Sequence, residues 1–285
     1  MKYSEFQLTT TDNITLQAKL WETENDPKAI VCLIHGFGEH SGRYNHVAKG
    51  FVDAGYTVLG MDSRGHGKST GRRGFIPSYG QFVEDVDVLL ETAAEKFPNK
   101  TRFLYGHSTG GGLVLRHVFE RHPDIAGVIA SSPWLRLARD PGFLSRMIMH
   151  IFSLFRPQFT IDAGHTPGLL SRDPEVDKIF VADPLNHSKM TAGLLTGGIG
   201  NGEMLIKQAA DFPEIPLLIL HGTGDKIINY KGSQMFASKA PADTLTFITY
   251  EDGTHELHND ICKEEVIAAM AEWLQKQTSQ IAQTL

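Results

Sequence analysis

Gly106-His107-Ser108-Thr109-Gly110 stands between an apolar run at residues 102–105 and a helix-period stretch at residues 113–121. The five residues fit G-x-S-x-G, and a strand before with a helix after is the context of a nucleophile elbow. Such an elbow is a sharp strand-to-helix turn that projects a serine hydroxyl from the edge of a sheet. A glycine two residues to either side of Ser108 lets neighbouring backbone approach where a Cβ would clash. The helix beginning behind Ser108 turns its positive end toward the place where an oxyanion would form. One pentapeptide thus predicts a sheet with helices packed on it and a serine presented at one end.

The rest of the chain repeats that strand-and-helix rhythm. Residues 29–34 are continuously apolar, as a parallel strand covered on both faces requires, and similar runs occupy 57–61, 127–130, 216–220 and 245–250. Between them Phe82, Val86, Leu89, Leu90, Ala93 and Phe97 recur at three- and four-residue steps, and residues 264–277 form another helical stretch. At the start, every second residue of Ile14–Trp21 is apolar. This predicts a strand with one wet face, joined through an Asp12-Asn13 turn to residues 6–9. The pattern predicts an α/β fold, a mostly parallel central sheet flanked by helices.

Residues 133–212 break the rhythm. No strand is expected there, and helices are expected at 143–155, 174–181 and 202–210, with the glycine-rich stretch 197–202 as a mobile joint. Eighty residues are too many for a plain loop. They are expected to form a helical cap, or lid, inserted within a single domain spanning 1–285.

Composition narrows the possible partners. The 285 residues carry 27 basic and 33 acidic side chains, a formal net charge of −6, so there is no cationic excess to hold a nucleic-acid backbone. An apolar share of 41% against 21% charged is that of a folded chain. Two cysteines, Cys32 and Cys262, build no disulfide scaffold and fit a reducing compartment. The first residues lack the apolar region of a signal peptide, and no 18-residue uncharged apolar stretch exists. A soluble, cytoplasmic protein is expected.

A serine hydroxyl needs a base oriented by a third group. With this elbow, the chain order should run Ser, then Asp or Glu, then His. Asp225 follows the apolar run ending at Leu220, and His255 follows the run through Tyr250, so both fall beyond strand ends on one sheet edge. Asp252 and His258 are their nearest rivals. The oxyanion donors are expected to be the amides of Thr109, after the serine, and Phe37, in the His35-Gly36-Phe37-Gly38 loop after the first central strand. Three look-alikes fail on spacing. Gly67-Lys68-Ser69 would need a glycine at Asp62 to be a phosphate loop, His255 and His258 are one residue too close for a zinc helix, and residues 197–202 follow no strand. No metal or organic cofactor is expected.

His35-Gly36-Phe37-Gly38-Glu39-His40-Ser41-Gly42-Arg43-Tyr44 resembles the first motif of monoacylglycerol lipases and bacterial lysophospholipase-like relatives. Asp62–Ser69, the serine elbow, Gly222-Thr223-Gly224-Asp225 and His255–Asp260 fit the same pattern, over about residues 5–275. The resemblance implies the α/β-hydrolase fold and a Ser108–Asp225–His255 triad. It further implies a polar pocket for glycerol hydroxyls made by Glu39, Arg43 and His258. Thr109 stands where many members have methionine, and Phe180 where some relatives have tyrosine. Loss of that hydroxyl would weaken glycerol recognition. The implied activity is serine-ester hydrolysis, most of all of monoacylglycerols, with lysophospholipase or broad carboxylesterase activity as the alternative and a non-catalytic binding protein further off. Leu144, Met147, Ile148, Ile151, Phe152 and Phe155 make the 142–159 segment too apolar for an ordinary surface helix. It is expected either to pack within the cap or to line an acyl channel with transient membrane contact.

Overall fold

The computed structural model describes residues 1–139 and 141–284; Asp140, inside the expected cap, lies outside the described residues. Among the described residues ten strands run β1 Lys2–Thr9, β2 Thr15–Glu22, β3 Ile30–Ile34, β4 Thr57–Met61, β5 Arg102–His107, β6 Gly127–Ser131, β7 Thr160–Asp162, β8 Lys189–Thr191, β9 Leu217–Gly222 and β10 Leu245–Tyr250. Eight of them form one sheet in the order β1-β2-β4-β3-β5-β6-β9-β10. The pairs from β4 to β10 are parallel, whereas β1 and β2 are antiparallel additions at one edge. The mostly parallel sheet expected from the apolar runs is present.

Alternation along the strands divides the core in two. Ile30, Cys32 and Ile34 of β3 face a layer built with helix α2 (Tyr79–Lys96) and α3 (Thr109–Arg121). Val31 and Leu33 face a layer built with α1 (Asn45–Asp53) and the C-terminal helix Lys263–Thr284. All five β3 side chains are fully buried. A strand between two helical layers has no wet face, which is why its sequence shows no alternation. The Cys32 thiol is among them, its pKa pushed up to about 12 by burial.

The expected wet face of β2 is not wet. Lys19 is only 3% exposed, and its ammonium lies 2.9 Å from both the Asp62 carboxylate and the Ser41 hydroxyl. The reason is the segment after β4, which folds back over the hairpin. The Lys68 amide donates to Asp62 Oδ2 at 2.9 Å, and the Gln17 amide donates to the Ser69 hydroxyl at 2.8 Å. Residues 67–69, which mimic part of a phosphate loop, are therefore wound around the very aspartate that breaks the mimicry. Burial works against ionisation of Asp62, but Lys19 and the hydrogen-bond donors hold its pKa well below the usual carboxylate range.

Between β6 and β9 the chain leaves the large sheet. Among the described residues three helices stand there, α4 (Gly142–Phe155), α5 (Pro174–Ala182) and α6 (Ala192–Lys207). Two departures from expectation occur. β7 and β8 pair antiparallel into a small separate sheet, each too short to show a period. The glycine run 197–202 is no joint but the middle of α6. Gly198 packs against the Trp134 ring, which an added Cβ would approach to 2.7 Å, and a Cβ on Gly202 would run into the Leu135 carbonyl. These glycines let a helix lie close to its neighbour. Helix α7 (Tyr230–Ala237) and α1, both short, also went unforeseen. No helix among the described residues is long and apolar enough to cross a membrane.

The two α6 glycines predict opposite effects. Gly202→Ala is expected to destabilise the protein by about 1–3 kcal/mol through overpacking. Gly200 is exposed with nothing within 4 Å of an added Cβ, so Gly200→Ala should stabilise by up to about 1 kcal/mol through helix propensity. Denaturant unfolding measures both, and equal signs would contradict the packing account.

Candidate active site

Parallel strands bring their C-terminal ends to one edge, and the turns leaving β5, β9 and β10 meet there. Ser108 adopts φ 53° and ψ −115° as β5 passes into α3. Its amide donates to the Ser131 carbonyl at 2.9 Å, while its own carbonyl accepts from the Gly112 and Trp134 amides at 2.9 and 2.8 Å. The turn is thus held from both neighbours. A Cβ on Gly110 would come within 2.5 Å of the Ile34 and His35 carbonyls, and one on Gly106 would strike the Gly110 carbonyl. The G-x-S-x-G spacing is a packing requirement as much as a chemical one.

Ser108 Oγ lies 2.9 Å from His255 Nε2, and His255 Nδ1 lies 2.7 Å from Asp225 Oδ2. With the carboxylate as acceptor, Nδ1 carries the proton and Nε2 is left to accept from the serine hydroxyl. The rivals lie elsewhere: Asp252 is exposed on a turn, and His258 has neither ring nitrogen hydrogen-bonded. Asp225 Oδ1 accepts from the Ile227 and Ile228 amides at 2.8 and 2.9 Å. Behind it stands a residue that sequence reading missed. His221, at the end of β9, approaches Asp225 Oδ2 at 3.2 Å through Nε2, while its Nδ1 accepts from the Ser233 hydroxyl at 2.8 Å.

These contacts set the charges. Burial alone would raise Asp225, yet the His255 charge and the histidine hydrogen bonds hold its carboxyl far below the usual range. Burial alone would lower His255, yet the Asp225 carboxylate outweighs it, and the imidazole is more basic than an ordinary histidine.

On the other side of Ser108 is the loop after β3. Neither the Phe37 nor the Thr109 amide donates to an acceptor among the described residues. The loop is fixed by Glu39, whose Oε1 accepts from the Gly36 amide and the Tyr44 hydroxyl, both at 2.7 Å. Arg43 donates to the other Glu39 oxygen and forms a bidentate pair with Glu256 at 2.7 Å. Glu256, adjacent to His255 in sequence, was not foreseen. One guanidinium therefore serves two carboxylates. Burial and the Glu256 charge raise the Glu39 pKa, while Arg43 holds Glu256 ionised against its own burial.

A cavity of about 310 Å³ opens over Ser108, His255, Phe37 and Thr109. Glu39 and Glu256 enter its wall from the core, and Leu169, Leu170, Phe180, Met190 and Leu195 from the segment between β6 and β9. Of the four residues expected at an alcohol pocket, Glu39 and Phe180 reach this wall and two do not. Arg43 stands behind, its guanidinium 5.0 Å from the centre of the Phe180 ring. His258 is fully buried, stacked on Tyr44 at 4.6 Å, and its pKa falls to about 3 through burial. The three-residue step from His255 carries His258 through a short 3-10 turn and away from the cavity. Nor does α4 line this cavity. Leu144, Ile151, Leu154 and Phe155 on it are instead exposed, Phe155 to 78%. Among the described residues no group of three His, Cys, Asp or Glu is placed to hold a metal ion.

Comparison with known proteins places this geometry in a family. The family described as serine aminopeptidase, S33, matches residues 25–261. An uncharacterized abhydrolase domain-containing protein of Dictyostelium discoideum is 36% identical over 97% of this chain, but the match spans only 29% of that longer protein. A monoacylglycerol lipase of Mycolicibacterium smegmatis is 30% identical, covering 95% of this chain and 96% of the relative. The crystal structure of Paleococcus ferrophilus monoacylglycerol lipase superposes with a TM-score of 0.82 at 31% identity, covering 97% of this chain and all of that one. By this match, and by near end-to-end similarity to a lipase and to a solved lipase structure, the chain belongs to the serine aminopeptidase S33 family of hydrolases with the α/β-hydrolase fold.

Proposed function

We propose that the chain is a serine ester hydrolase of the monoacylglycerol lipase type, cleaving a monoacylglycerol to fatty acid and glycerol. The observation that carries this reading is the unbroken hydrogen-bonded line from Asp225 through His255 to Ser108, at the floor of an apolar cavity. In the first step His255 Nε2 takes the Ser108 proton as Oγ attacks the ester carbonyl, and Asp225 stabilises the imidazolium. The Phe37 and Thr109 amides receive the oxyanion, assisted by the N-terminus of α3. The alcohol leaves with the proton from His255, and water then cleaves the acyl-serine by the same route. The chemistry needs no cofactor.

Charge at the cavity wall favours a neutral alcohol over a phosphate headgroup. Arg43 is the cation of its cluster, and its bidentate pairing with Glu256 and contact with Glu39 leave that cluster neutral or negative. Hydroxyls find acceptors there, whereas a phosphodiester would face carboxylates. This argues for the glyceryl ester over the lysophospholipid. We further read residues 133–212 as the cap of the domain, since this segment supplies the apolar side of the cavity. The exposed apolar residues of α4 fit transient contact with a lipid surface.

Ser108→Ala should keep the fold, by circular dichroism and melting temperature, and lose fluorophosphonate labelling together with a factor on the order of 10⁶ in kcat. Retained turnover would remove Ser108 from the mechanism. A base that must be neutral makes kcat/KM fall about tenfold per pH unit below its pKa, and here the Asp225 charge raises that pKa above the ordinary histidine value. Asp225→Asn should therefore shift the acid limb to lower pH, besides reducing kcat by roughly 10⁴. An unmoved limb would detach His255 from Asp225. Phe180→Tyr should raise the preference for glyceryl over methyl esters by about threefold to tenfold through one added hydrogen bond. An unchanged ratio would place the alcohol elsewhere.

A further inference from the structure

A second cavity, of about 430 Å³, lies where the chain leaves β6 beside α6 and α7. It contains none of Ser108, His255 or the Phe37 loop, yet it shares Trp134 and Leu137 with the cavity that does. Trp134 thus stands in the wall of both, and its amide donates to the Ser108 carbonyl at 2.8 Å.

The chemistry of this second cavity differs from that of the first. Leu135, Ile199, Ile206 and Met235 give it an apolar lining. Around this stand Arg136, Arg146, Lys207 and Lys239, against the one carboxylate of Glu203. Arg146 pairs with Glu203. No acidic side chain among the described residues pairs with Arg136, Lys207 or Lys239, all three of which are exposed. Among the described residues the lining carries four cations against one carboxylate, in a chain whose formal net charge is −6. Lys239 is held over the lining by donating to the Ile206 carbonyl at 3.2 Å, and Arg136 Nη1 lies 3.9 Å from Met235 Sδ. An apolar concavity of this size under a cationic rim selects a molecule with a hydrocarbon chain and one anionic head. A neutral ester offers the rim only uncharged acceptors, without the charge-assisted contacts a carboxylate makes.

We propose that this cavity binds a long-chain carboxylate, the acid that hydrolysis at Ser108 releases. The identity of the source rests on the function proposed above; the binding itself does not. Because Trp134 is common to both cavities, a bound acid presses on the backbone that shapes the elbow, and the product restrains the enzyme without competing for the catalytic cavity.

The test uses the full chain with Ser108 blocked by diisopropyl fluorophosphate, so that the catalytic cavity is closed to product. Dodecanoate below its micellar concentration, titrated by calorimetry and by tryptophan fluorescence, should still bind at a single site, and dodecan-1-ol should not. Arg136→Glu combined with Lys239→Glu should weaken dodecanoate binding about tenfold or more, as loss of charge-assisted contacts predicts. In unblocked enzyme the double variant should lose inhibition by dodecanoate while hydrolysing a short-chain ester at the parent rate. No binding to blocked protein, equal binding of the alcohol, or an unaffected double variant would each overturn the proposal. Failure of ester turnover in the parent would instead overturn the functional reading and leave the calorimetric result standing.

Discussion

The close approach of the first turn of α3 to the ends of β3 and β5 is the constraint on which the rest depends. Space for a Cβ is missing at Gly106 and Gly110, because backbone carbonyls occupy it. Only at that distance does the chain reverse from strand to helix within one residue, and Ser108 takes the positive φ that results. A non-glycine residue there costs on the order of 1–3 kcal/mol and persists only when its surroundings over-determine it. The three backbone hydrogen bonds at Ser108, to the end of β6, the next turn of α3 and the segment entering Trp134, do so. Hydroxyl position, the Thr109 amide and the helix terminus are consequences of that single turn.

Electrostatics then assign the proton. Asp225 is fully buried but accepts from two backbone amides and two histidines, so its charge is solvated by the protein rather than by water. A carboxylate anchored this firmly raises the basicity of His255 without itself taking the proton. His221 and Ser233 extend the anchoring to α7, whose Phe236 is fully buried in the core. The Glu39–Arg43–Glu256 cluster does similar work on the opposite side, fixing the Gly36 amide and so the loop that carries Phe37.

The sheet was legible in the sequence because strands covered on both faces read as continuous apolar runs. The elbow, Asp225 and His255 were legible because parallel strands put every following turn at one edge. Other parts escaped for physical reasons. Lys19 reads as solvent-facing, since a strand's own alternation says nothing of a distant segment that will cover it with a carboxylate. The glycines of α6 read as a hinge, since their use as a contact surface appears only once Trp134 and Leu135 lie against them. His258 reads as a pocket residue by resemblance, yet a 3-10 turn carries it behind Tyr44 and leaves the cavity wall to Glu256. Three-residue strands such as β7 and β8 have no period to detect.

Hydrolysis converts a neutral ester into an acid that ionises, and the two cavities differ in that same respect. The wall next to Ser108 presents Glu39 and Glu256 around a guanidinium already engaged, a surroundings that tolerates hydroxyls and disfavours a carboxylate. The neighbouring cavity presents Arg136, Lys207 and Lys239, with Arg146 paired to Glu203, around an apolar lining. A negative product gains charge-assisted contacts in the second cavity that a neutral substrate does not make. On the proposal made above, charge distinguishes the cavity of the neutral substrate from that of the acid, with Trp134 in the wall of both.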